Sequence, residues 1–78
     1  MQRFFFDLME DGVSVSDHDG IVLPQLDEAE LEAAGAIAQM MASRVSRSSL
    51  HNMCVVIRDA GRTPLARVSL TLTRERMS

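Results

Sequence analysis

The chain has 78 residues, 46% of them hydrophobic, one cysteine, and a formal net charge of −3. That length makes one small domain, 1–78, and with Cys54 as the lone cysteine an internal disulfide framework is excluded. No apolar run reaches the roughly 18 residues of a membrane span, and an acidic pI near 5.2 argues against a general polyanion binder.

The first strand is expected in Arg3–Met9, "RFFFDLM". Phe4, Phe6 and Leu8 share one face there, and Arg3, Phe5 and Asp7 the other. Asp11-Gly12 signals a turn. A second short strand, "GIVL", is stopped by Pro24.

The spacing predicts one helix over about residues 27–46. Asp27 would cap it, with Glu30 completing a capping box. Glu28, Glu30 and Glu32 suit the positive end of the helix dipole, and Arg44 and Arg47 the negative end. Leu31, Ala34, Ala38, Met41 and Val45 recur at helical spacing, widened by Ile37 and Met40. Gly35 would let the helix approach the sheet closely, and "SRSSLHN" would be the exit loop.

"MCVVIRD" is apolar on both faces, as a central strand requires. In "DAGR", Gly61 is placed to take the left-handed position of a three-residue hairpin loop. Pro64 restricts the last strand to an edge or to its own first residue. "ARVSLTLT" alternates, with Val68, Leu70 and Leu72 inward, and residues 74–78 read as a frayed tail. The order is β-β-α-β-β. It implies an α+β fold: a four-stranded, mainly antiparallel sheet of order 2-1-3-4 with one helix on one face.

The run "SDHDGIVLP" (16–24) carries the densest chemistry. An EF-hand needs oxygen ligands at loop positions 1 and 12 with glycine at 6; aligning Gly20 there puts Val15 and Leu26 at the anchors. His51-x-x-Cys54 is half a zinc motif, with His18 far away in the chain. No nucleophile or oxyanion loop accompanies His18. The run is therefore read as a turn in which Asp17 accepts backbone N–H bonds, Gly20 supplies positive φ, and His18 and Asp19 face water. No catalytic residue, metal or cofactor is expected. Cys54, in an apolar run, reads as a small buried hydrophobe, and a lone thiol without a secretory leader points to the cytoplasm.

The whole pattern resembles a family of small alphaproteobacterial proteins grouped as a domain of unknown function. Met1-Gln2-Arg3-Phe4-Phe5-Phe6 matches its Met-Pro-Arg-Tyr-Phe-Phe start, departing at Gln2 and Phe4. Asp17, Gly20, Leu23 and Pro24 match its Asp-x-x-Gly-x-x-Leu-Pro segment, ahead of an alanine- and glutamate-rich helix. Asp59 and Gly61 match its last hairpin. The resemblance implies no activity, and it makes His18 a non-essential member of the turn.

Charge divides sharply along the chain. Residues 1–35 hold nine acids against Arg3, and residues 36–78 seven arginines against Asp59 and Glu75. Mutual neutralisation, within the fold or across a dimer, is the simpler reading. One helix covers one sheet face, so the open face, with Arg3, Phe5, Cys54, Val56, Arg58 and Arg67, is the candidate interaction surface. The function expected is a non-enzymatic protein-interaction module, a homodimer through that face or bound to another protein. The alternative is a nucleic-acid binder using Arg58, Arg62, Arg67, Arg74 and Arg76.

Overall fold

A computed structural model describes residues 1–44 and 50–77. Its elements are β1 (Gln2–Glu10), β2 (Val13–Val15), β3 (Ile21–Leu23), α1 (Leu26–Ser43), β4 (Leu50–Arg58) and β5 (Pro64–Thr73). The α+β class and the antiparallel sheet are as expected, but the sheet has five strands rather than four. Its path is β2-β1-β4-β5, with β3 also paired to β1. Among the described residues no helix is long and apolar enough to cross a membrane.

The extra strand comes from the Asp11-Gly12 turn. Both residues have positive φ, 50° and 80°, the conformation of a type I′ turn that closes a two-residue hairpin. Val13–Val15 therefore folds back on Leu8–Glu10. Three alternating residues were too few to read as a strand. β3 pairs with the other end of β1, Gln2–Phe4, so two short strands share one edge of β1. On its other side β1 pairs antiparallel with β4, from Phe5 opposite Arg58 to Glu10 opposite Met53. β4 is central, as its two apolar faces require, though it begins at Leu50 and takes in part of the supposed exit loop.

The core comprises Phe4, Ala29, Ala33, Ile37, Met41, Met53, Val55 and Ile57. Burying a side chain such as Phe4, Ile37 or Ile57 contributes about 1.5–3 kcal/mol. The helix contributes an i, i+4 stripe whose first two members are alanines, and their small side chains let the axis sit close to the sheet. The expected stripe is met only in part: Ile37 and Met41 are buried and Met40 packs against the core, but the rest is out of phase. Leu31 is 74% exposed, and Ala34 and Ala38 are exposed too; Val45 and Arg47 lie outside the described residues. Alanine on several flanks gave the sequence no unique phase. Gly35 is not a close-approach site either, since nothing lies within 4 Å of where its Cβ would stand.

The helix starts earlier than expected. Leu26 packs on the core, which puts Gln25 at the cap position without a side-chain bond and Asp27 and Glu28 in the first turn. The Asp27–Glu30 capping box therefore does not form, and Asp27 acts only through the dipole. Arg44 is the C-cap, its N–H donating to the Met41 carbonyl at 3.1 Å. The helix lies mainly over β5 and β4 and barely reaches β3.

Pro64 opens β5, and a register shift opposite Ile57 and Arg58 leaves Leu65 as a bulge. In the preceding loop Arg62, not Gly61, holds the left-handed conformation, at φ 69°. The Asp59 carboxylate fixes this by accepting the Gly61 and Thr63 amides, both at 2.9 Å. Beyond Thr73, residues 74–77 are exposed and outside any strand.

Candidate functional site

Strand alternation puts Phe4 beneath the helix and Phe5 on the opposite face. Register then places Arg58 opposite Phe5, and Arg67 opposite Val56. Arg3, Phe5, Cys54, Val56, Arg58 and Arg67 thus share the open face, but they do not make an apolar centre with a charged rim. The Arg58 guanidinium lies over the Phe5 ring, 4.9 Å from its centroid. Its Nε donates to Asp7 Oδ2 at 2.7 Å and its Nη2 to the Asp17 carbonyl at 2.9 Å. Arg3 Nη1 donates to the Asp19 carbonyl at 2.8 Å. Cys54 is buried and Val56 half-buried, while Arg67 is exposed.

Asp17 organises the 16–20 turn as its residue type predicts. Asp17 Oδ1 accepts the Asp19 and Gly20 amides at 3.0 and 3.1 Å, and Oδ2 accepts the Phe6 amide at 3.1 Å. The Asp17 amide donates to Asp7 Oδ1 at 3.0 Å. Phe6 falls in the interval of β1 between the segments paired with β3 and β2, so a side chain there replaces a missing strand. Gly20 has φ +71°, and an added Cβ would stand 2.8 Å from the Phe4 carbonyl oxygen. His18 and Asp19 are exposed.

The network shifts its carboxyls in one direction. For Asp7, burial pushes the pKa up, but the Arg58 hydrogen bond, the Asp17 amide and the Arg58 charge outweigh it and hold the group below its ordinary value. For Asp17, burial is likewise outweighed by the amides of Gly20, Phe6 and Asp19 and by Arg58. The Arg58 pKa is raised, first by its bond to Asp7. A site built this way holds a loop in place, and its acids are committed as acceptors.

His51 and Cys54 lie on opposite faces of β4, as three-residue spacing in a strand dictates, so they cannot share a cation. His51 instead meets Glu10, Nε2 to Oε2 at 2.7 Å, while its Nδ1 is 4.0 Å from Asp11 Oδ2. Ligand atoms of Glu10, Asp11 and His51 lie within 4.8 Å of one another, but the other Glu10 oxygen is paired with Arg44. The group joins the end of the helix to the end of the sheet through the Arg44–Glu10 ion pair and the His51–Glu10 hydrogen bond. It was invisible in the sequence because its members are brought together only by strand register.

On the helix side, the off-centre helix leaves the β1 half of the sheet open. Phe6 and Leu8 are half-buried there. Val13, Val15 and Ile21, which alternate onto the same face, are 64%, 57% and 41% exposed. A trough of about 280 Å³ runs between Ile21 and the helix, lined by Phe6, Leu8, Ile21, Ala36 and Met40, with Asp17 and Glu32 in its walls. No sequence signal marked this surface, because it depends on where the helix rests.

Over residues 3–71 the chain matches the model of a family described as Domain of unknown function (DUF6894). No curated protein and no solved structure matches it.

Proposed function

The chain belongs to the DUF6894 family, and for it we propose a non-enzymatic role as a protein-interaction module. The observation that carries this reading is the helix-side trough, where exposed Ile21 lies beside half-buried Phe6 and Leu8, with Val13 and Val15 exposed on the same sheet face. Apolar surface gathered on one flank, next to committed polar groups, suits a protein partner. Exposed Glu32 in the wall favours a short apolar segment bearing a basic residue. The trough, at about 280 Å³, falls below the roughly 300–1,000 Å³ of small-molecule sites, and its carboxylates are not arranged around an attackable group. Nucleic acid is the weaker reading, since Arg58 is taken up by Asp7 and Asp17. The lone buried thiol of Cys54 suits the cytoplasm.

Selection of displayed random peptides on the immobilised protein tests this. The expected result is enrichment of apolar segments with an adjacent Arg or Lys, lost on Ala36→Lys, an exposed position in the trough wall. A failure to enrich, or enrichment that Ala36→Lys leaves untouched, overturns it.

A further inference from the structure

The two edges of the sheet are built differently. The β1 edge is divided between two three-residue strands, with the Asp17 carboxylate filling the interval. Short strands and an inserted side chain are common ways of blunting an edge. β5 has ten residues and ends the strand path on the other side. After the Leu65 bulge it continues as "ARVSLTLT", without proline and with no charge beyond Arg67. Its outer backbone groups have no strand partner among the described residues.

Beside that edge lies the helix flank that the sheet does not use. Glu32, Ala36 and Met40 face the trough toward β1. At about 100° per residue, Ala34 and Ala38 then fall on the opposite flank, toward β5, with Leu31 at the border between that flank and the outward face. This is the exposed apolar stripe that looks like a core stripe in the sequence.

We propose that β5 pairs antiparallel with β5 of a second copy of this chain, about a two-fold axis, with the two helices side by side on one continuous sheet. The spacing fits. A helix resting between β4 and β5 would lie about two strand spacings, ~9.6 Å, from its symmetry mate, inside the roughly 8–10 Å of packed helices. Alanines at 34 and 38 permit that approach.

Charge fits as well. Arg44 at the helix end meets Glu10, and the neighbouring His51 is opposite Leu72 near the end of β5, so helix and β5 run the same way. Two-fold pairing brings Asp27 and Glu30, at the start of one helix, toward Arg76, which follows the partner's β5. Part of the division of acids and arginines is neutralised within the chain by Asp7–Arg58 and Glu10–Arg44, and the helix-start acids add contact between copies.

This inference rests on the interaction reading but uses a different surface, so the two can fail separately. Solution mass is measured by light scattering over a wide concentration range, with amide exchange on β5. The expected species has twice the 8.6 kDa chain mass, with slowed exchange along the outer edge of β5. The double variant Leu31→Lys/Ala38→Lys, on exposed positions, is expected to weaken it by more than about tenfold while leaving the monomer folded. A monomer at every concentration, or a dimer indifferent to that variant, overturns the proposal. Peptide selection at the trough would be unaffected by either result.

Discussion

The Asp17 carboxylate accepts the backbone amide of Phe6 at 3.1 Å, occupying the place of a strand carbonyl in the interval between β3 and β2, where β1 has no strand on this side. A turn and an edge strand are thereby stabilised by one side chain. Asp17→Ala leaves the amides of Phe6, Asp19 and Gly20 without this acceptor, and a cost of about 2–3 kcal/mol is expected. Asp17→Asn keeps one acceptor oxygen and should cost less. Urea midpoints decide it; an alanine variant as stable as wild type would remove the bracing role.

Acid sensitivity follows from the same group. Asp7 and Asp17 titrate lower in the folded chain than their ordinary value, which is about 3.9. A depressed folded pKa contributes stability that is complete above the unfolded pKa and is lost as pH falls through the folded one. Stability should therefore decline below about pH 4, and less steeply in Asp7→Asn. Thermal melts from pH 2 to 6 would show this, and parallel profiles would contradict it.

Two glycines should respond oppositely to alanine. Gly20 combines φ +71° with a backbone oxygen 2.8 Å from the position of a Cβ, so Gly20→Ala should cost more than the roughly 1–2 kcal/mol of left-handed backbone alone. Gly35 is mid-helix with open space around it, and Gly35→Ala should stabilise by about 0.8–1 kcal/mol. Equal and opposite signs in the reverse sense would mean that the helix flank or the turn sits elsewhere.

Arg62 carries the left-handed conformation of its loop at φ 69° while Gly61 precedes it. Arg62→Gly removes the Cβ penalty and should raise stability by about 1 kcal/mol. A destabilised Arg62→Gly would show that the arginine side chain contributes more than its backbone strain costs.

What the sequence disclosed was local. The Asp11-Gly12 turn, the Asp17–Gly20 turn, the two-faced β4 and the position of Pro64 each follow from a few neighbouring residues. The helix phase did not, because alanines at 29, 33, 34, 36, 38 and 42 offer two equally plausible stripes. Asp7–Arg58 and Glu10–His51 join residues 51 and 41 positions apart, and only the register of β1 on β4 sets them diagonally across from one another. The trough was hidden for a related reason, since it is the space an off-centre helix leaves empty.

The ladder from Phe5 to Glu10 on β1 and Met53 to Arg58 on β4 has a consequence for assembly. It is the main seam between two halves, β1–β3 and α1–β5, whose other pairings are short-range and close quickly. The search for that seam should limit the folding rate, because loop-closure entropy is lost before long-range contacts compensate. Substitutions on the seam, such as Val55→Ala, should then slow folding, whereas Arg62→Gly should act on whichever limb the hairpin controls. Stopped-flow chevrons separate the cases, and a Val55→Ala that changes only unfolding would place the seam after the barrier.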